Sequence, residues 1–171
     1  MIRCLAGLLF FFAITFSGQQ SVNPPLLSTC DLSKDYGAYS DKLVAVRGVY
    51  YYGLRQTCEQ TCANGPWPSF LDLVGADGAT WEALDKAEKS VESEAEKGKR
   101  FEIWVTVVGQ LKTRARLSPL GPCDRTGSGY SGYGHLGAFP AQLVVKSFSD
   151  IKILENSKSP YDYSKMYRGP A

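Results

Sequence analysis

The sequence predicts a mainly β protein with one helix, closed as a five-stranded Greek-key barrel. Three observations carry this expectation. Two long segments, Lys42 to Tyr52 and Phe101 to Thr113, alternate between two faces with the period of a strand. Both hold a glycine in the same phrase, Val44-Ala45-Val46-Arg47-Gly48 and Val105-Thr106-Val107-Val108-Gly109. Between them lies one segment with helical spacing. A glycine inside a strand costs stability unless the strand bends sharply or meets another backbone, and small closed barrels need such corners. The order strand, strand, strand, helix, strand, strand is that of the OB-fold. A two-sheet sandwich predicts about seven strands, more than the pattern supplies.

The elements follow in order. Residues 1–17 read as a signal peptide: Arg3 gives a positive start, Leu5 to Phe16 an apolar run, and Thr15 and Ser17 small residues at a cleavage site. The run is shorter than the roughly 20 residues that span a bilayer as a helix, which counts against the competing reading of a retained anchor. Residues 18–28 form a leader broken by Pro24-Pro25, and Asp31 to Ser40 a short helix or turn. After the first strand, Gly53 permits a turn, Leu54 to Thr57 reads as a second strand, Cys62 to Pro68 as loop, and Ser69 to Val74 as a third strand. The helix starts with Thr80 as N-cap and ends at Gly98, and Trp81, Leu84, Ala87, Val91 and Ala95 make one apolar stripe. In the fourth strand Phe101, Ile103, Val105, Val107 and Gly109 share a face. A connection rich in glycine and proline, Arg114 to Phe139, leads to the last strand, Ala141 to Leu154, with an irregularity at Ser147. The barrel domain covers 29–155, and 156–171 reads as a flexible tail.

Charge and cysteines set the compartment. Without the signal peptide the chain carries 18 basic and 17 acidic residues, which argues against nucleic acid or anionic membrane as a general partner. No later stretch is apolar enough to span a membrane. Cys30, Cys58, Cys62 and Cys123 remain, an even number that suits two disulfides in the periplasm or outside the cell. Of the three possible pairings, loop length favours Cys30–Cys62 with Cys58–Cys123. A zinc site lacks a second closely spaced cysteine pair, and a redox motif would need two intervening residues where Cys58 and Cys62 have three.

Several residues are candidates for function. Arg47 and Tyr51 fall on one face if strand alternation continues through Tyr50, Tyr51 and Tyr52, and Tyr130 and Tyr133 lie in the connection before the last strand. Barrels of this class place aromatics and cations on such surfaces to bind oligosaccharides or single strands. The bland alternative is packed tyrosines with wetted hydroxyls. His135 is the sole histidine and sits in Gly132-Tyr133-Gly134-His135-Leu136-Gly137. Its ring either holds this loop in shape, contacts a ligand, or acts as a base with Asp72, Asp124 or Asp150. The loop has no Gly-Lys-Ser/Thr ending and leads into a strand, so it is not a phosphate cradle. No cofactor or metal is implied.

Thr29-Cys30-Asp31-Leu32, Asp41-Lys42-Leu43-Val44-Ala45-Val46-Arg47-Gly48-Val49, the Gly132–Gly137 phrase and Gln142-Leu143-Val144-Val145 together resemble a group of uncharacterised exported bacterial proteins. The likeness covers roughly residues 28 to 153. It implies a bacterial envelope or secreted origin and an OB-like barrel, and it implies no activity. The expected function is therefore a non-enzymatic, exported binding module whose partner is a glycan or an envelope protein. The alternatives are a purely structural envelope protein and a hydrolase that uses His135 with an acidic partner.

Overall fold

The computed structural model describes residues 23–62, 65–113, 133, 139 and 141–165, with the backbone alone at 59–62, 65–70 and 165. The protein is mainly β, with one long helix and a six-stranded sheet. The elements are β1 (Leu26–Ser28), α1 (Thr29–Lys34), β2 (Leu43–Tyr50), β3 (Leu54–Cys62), β4 (Gly65–Val74), α2 (Gly78–Glu96), β5 (Phe101–Thr113) and β6 (Ala141–Glu155). Antiparallel pairs join β2 to β3, β3 to β4, β5 to β6 and β2 to β5, and a parallel pair joins β4 to β6. The pairings therefore run from β2 through β3, β4, β6 and β5 and back to β2. β1 is a sixth strand, parallel to β2 at Ala45 to Arg47.

The alternation read from the two valine-rich strands explains this core. Val44 and Val46 of β2 meet Val105, Val107 and Leu111 of β5 with Leu143 and Val145 of β6, all buried in one cluster. Leu54, Leu71 and Leu32 complete it. Both glycines lie at close approaches. A Cβ on Gly109 would stand 2.6 Å from the Val144 carbonyl oxygen, and one on Gly48 would stand 2.9 Å from Thr29 Cγ2. The β5–β6 register shifts at Val108/Gly109, where Ser147 and Val145 are the partners and Lys146 is the extra residue. That bulge is the irregularity expected near Ser147. A second core forms where Leu84, Ala87, Val91 and Ala95 of α2 pack on Phe101 and Ile103 of β5 and on Tyr163.

The structure corrects several expectations. Cys62 and Gly65–Pro68, expected as loop, are strand, with Cys62 opposite Gly65. Pro66 and Pro68 lie two residues apart, so their missing N–H groups fall on one edge of β4. β6 pairs with β4 only at Asp72–Val74, so no ladder bond to β6 is lost there. The helix begins three residues earlier than expected: Asp77 is the N-cap, and its carboxylate accepts the Thr80 N–H at 2.7 Å. Gly98 holds the expected left-handed position after the helix, with φ 85°. Leu26–Ser28, assigned to the leader, pairs with the sheet. The segment from Asn156 to Ser164, assigned to a flexible tail, is placed on the sheet with Ser159 and Tyr163 buried.

The disulfide joins Cys30 to Cys58, not Cys30 to Cys62, with a Cα separation of 5.5 Å. Loop length misled because α1 sits over β3: Thr29 Oγ1 donates to Gln56 Oε1 at 3.2 Å, which sets the neighbouring Cys30 beside Cys58. Cys123 lies outside the described residues. If the chain forms two disulfides, Cys62 and Cys123 are the pair left.

Candidate functional site

The candidate site is built where β2 ends. Tyr50 closes the strand and residues 51–53 bend, with Tyr52 at φ 53° and Gly53 at φ 126°. Tyr51 N–H donates to the Gly53 carbonyl at 2.9 Å. Only glycine fits at 53, because a Cβ there would stand 2.6 Å from the Leu71 carbonyl oxygen. Phe139 Cε1 approaches the same point at 3.3 Å. Phe139 is paired to Tyr133 by two backbone bonds of 2.8 and 3.0 Å, which ties the two ends of the 133–139 stretch together beside this turn.

Arg55 lies opposite Val49 in the β2–β3 ladder, on the face that carries Arg47, and its guanidinium also reaches the Tyr51 ring. Arg47 and Tyr51 themselves have different direct partners. Arg47 donates to Thr106 Oγ1 at 3.2 Å and lies 5.9 Å from the Trp104 ring centroid, while the Trp104 indole donates to Glu102 at 3.0 Å. Tyr51 packs edge-on against Tyr52 at 5.0 Å and against Tyr163 at 5.5 Å, with Tyr161 tilted at 5.3 Å. The Arg55 guanidinium lies 5.3 Å from the Tyr51 ring centroid. Burial lowers the Arg55 pKa, and the neighbouring hydroxyls of Tyr161, Tyr51 and Tyr52 oppose that fall.

Tyr161 and Tyr163 belong to the C-terminal segment. Its first anchor is Asn156, whose N–H donates to the Arg100 carbonyl at 2.9 Å and whose amide donates to Glu102 at 2.9 Å. Its second is Tyr163, whose hydroxyl donates to the Tyr50 carbonyl at 2.6 Å and accepts the Ile103 N–H at 3.2 Å. The β2–β5 ladder stops at Val49/Trp104. The next pair would be Tyr50/Ile103, so the Tyr163 hydroxyl takes the place of the next rung. Burial, with the Glu88 carboxylate nearby, raises the pKa of Tyr50 and of Tyr163 above the ordinary tyrosine range. Between the anchors, Asp162 pairs with Arg100 at 3.1 Å and the Tyr51 hydroxyl donates to the Asp162 carbonyl at 3.2 Å.

No protein-family model, curated protein or solved structure matches the chain, so the site is read from its own geometry. Tyr130 and His135 lie outside the described residues. Of the carboxylates considered beside His135, Asp72 accepts from Gln142 across the β4–β6 pair at 2.7 Å, and Asp150 occupies a positive-φ position in β6. Among the described residues no group of three or more histidines, cysteines and carboxylates is placed to hold a metal, and no helix is long and apolar enough to cross a membrane. An open hollow over α2, lined by Gly78, Glu82, Asp85, Lys86 and Lys89, is a charged helix face. Sequence reasoning overlooked Tyr161 and Tyr163. Their i, i+2 spacing after Pro160 was the available signal, an alternation hidden by its shortness.

Proposed function

We propose that this protein is an exported OB-type module that binds a glycan at the β2–β3 turn. The pairing order of the ring, the parallel contact between its third and fifth strands, and a helix between the third and fourth support an OB barrel with β1 added at one edge. In that reading α2 plugs the end of the barrel formed by Phe101 and Ile103. The signal-like start of the chain and the Cys30–Cys58 bond support export to the periplasm or beyond.

One observation carries the binding role. Gly53, in the connection that carries Tyr51 and Tyr52, meets Phe139 of the Tyr133–Phe139 bridge in the last connection. These are the two connections with which such barrels grip oligosaccharides. Tyrosine presents a flat apolar ring with a polar tip, which suits the faces and hydroxyls of sugars. Near-neutral net charge leaves short-range contacts to dominate over a long-range field. Calorimetric titration with defined neutral and acidic glycan oligomers tests the reading. Binding by at least one oligomer is expected, weakened about tenfold by Tyr52→Ala, the weight of one stacked ring. Failure of every oligomer to bind, or affinity unchanged by Tyr52→Ala and by Tyr133→Ala, contradicts it.

A further inference from the structure

The segment Asn156–Ser164 covers Tyr51, one of the rings of the proposed sugar-binding surface. It lays one ring, Tyr161, beside Tyr51 and one carboxylate, Asp162, on Arg100, with the Arg55 guanidinium 5.3 Å from the Tyr51 ring centroid and close to Tyr161. We infer that this segment is a strap that imitates the ligand, and that the surface beneath takes a ring bearing a carboxylate, as in an oligosaccharide of uronic acids. The inference rests on the glycan reading and narrows it to acidic sugars.

The strap is anchored at Asn156, Ser159 and Tyr163, and Tyr161 and Asp162 are only half-buried. Tyr163 is 4% exposed and bridges β2 to β5, and Asn156 is held by Arg100 and Glu102. The side chains of the Arg100–Asp162 pair are 37% and 19% exposed, so water weakens their attraction. The other Asp162 oxygen accepts from Ser164 within the strap itself, at 2.6 Å. Lifting Tyr161 and Asp162 while Tyr163 stays seated bares the Tyr51 ring and turns two guanidiniums toward solvent. A planar guanidinium matches a carboxylate with two parallel bonds, and a tyrosine face accepts the apolar side of a sugar ring. An incoming uronate replaces both strap interactions in kind, so strap and ligand compete for one surface.

The test uses the full exported chain and the double variant Tyr161→Ala/Asp162→Asn, which leaves Tyr163 in place. Two readouts are taken: iodination of individual tyrosines, followed by peptide mapping, and calorimetric binding of hexagalacturonate with cellohexaose as the neutral control. The expected result is an increase of about tenfold in Tyr51 labelling with Tyr163 still protected, because the variant removes one aromatic and one ionic interaction from the strap. Hexagalacturonate affinity is expected to rise by a similar factor, cellohexaose to bind no better, and Arg55→Gln to remove the preference for the acid. Unchanged Tyr51 labelling, or equal labelling of Tyr51 and Tyr163, overturns the strap. If Tyr51 is uncovered and cellohexaose binds as well as hexagalacturonate, the acidic-sugar assignment falls and the glycan reading stands. If neither oligomer binds to the uncovered surface, both fall.

Discussion

Tyr163 shows how much one side chain can hold together. Its hydroxyl satisfies a carbonyl on β2 and an amide on β5 at the point where their ladder parts. Buried polar groups left without partners cost about 1–3 kcal/mol each, so the ring depends on this residue more than its position in the chain suggests. The same burial gives a pH prediction. The folded protein holds Tyr50 and Tyr163 neutral above the ordinary value of 10.0, whereas the unfolded chain ionises there. Their contribution to stability is complete below about pH 10 and is lost as the pH rises beyond it. A titration followed at 295 nm and by circular dichroism is expected to show these tyrosines ionising only as the fold is lost. Smooth ionisation of all ten tyrosines near pH 10 with the fold intact contradicts this. Gly48 and Gly109 were legible in the sequence because a glycine inside a strand weakens it unless the backbone must bend or be closely approached there. Tyr163 was not: a lone tyrosine beyond the last strand looks the same whether it ends in solvent or between two strands.

Among the elements, period-two and period-3.6 patterns located β2, β5, β6 and the stripe of α2, since each buries one continuous face. The errors fall where tertiary packing overrides local preference. Pro66 and Pro68 suggested loop, yet they sit where β4 needs no donor toward a neighbour. Asp77 was passed over for Thr80, although its carboxylate reaches the Thr80 amide directly. The cysteine pairing was read from loop length, while the seat of α1 on β3 decides it. The Cys30–Cys58 bond closes a separation of 28 residues. By chain entropy such a loop stabilises the fold by about 3.6 kcal/mol. Cys30→Ser is expected to lower the unfolding free energy in urea by about that amount, and non-reducing peptide mapping to recover Cys30 linked to Cys58. Recovery of Cys30 linked to Cys62 contradicts the observed packing of α1.

For the whole molecule, a ring of strands turns two distant connections toward one place. The β2–β3 turn and the stretch before β6 are far apart in sequence, and Phe139 meets Gly53 because β4 pairs with both β3 and β6, Leu71 lying opposite Leu54 and Asp72 opposite Gln142. The C-terminal segment then lays aromatic and acidic groups on Tyr51 and Arg100, next to that turn. The order of elements was legible from the sequence, whereas the covering of Tyr51 was not, because no local pattern says where a terminal segment comes to rest. The account therefore turns on whether a sugar enters at this turn. Residue-by-residue chemical-shift mapping of the isotope-labelled protein during titration with hexagalacturonate addresses that most directly. Saturable shifts centred on Tyr51, Gly53, Arg55 and Arg100, with Val44 to Val46 unmoved, are predicted. Shifts confined to another face of the sheet, or none at millimolar sugar, would contradict it.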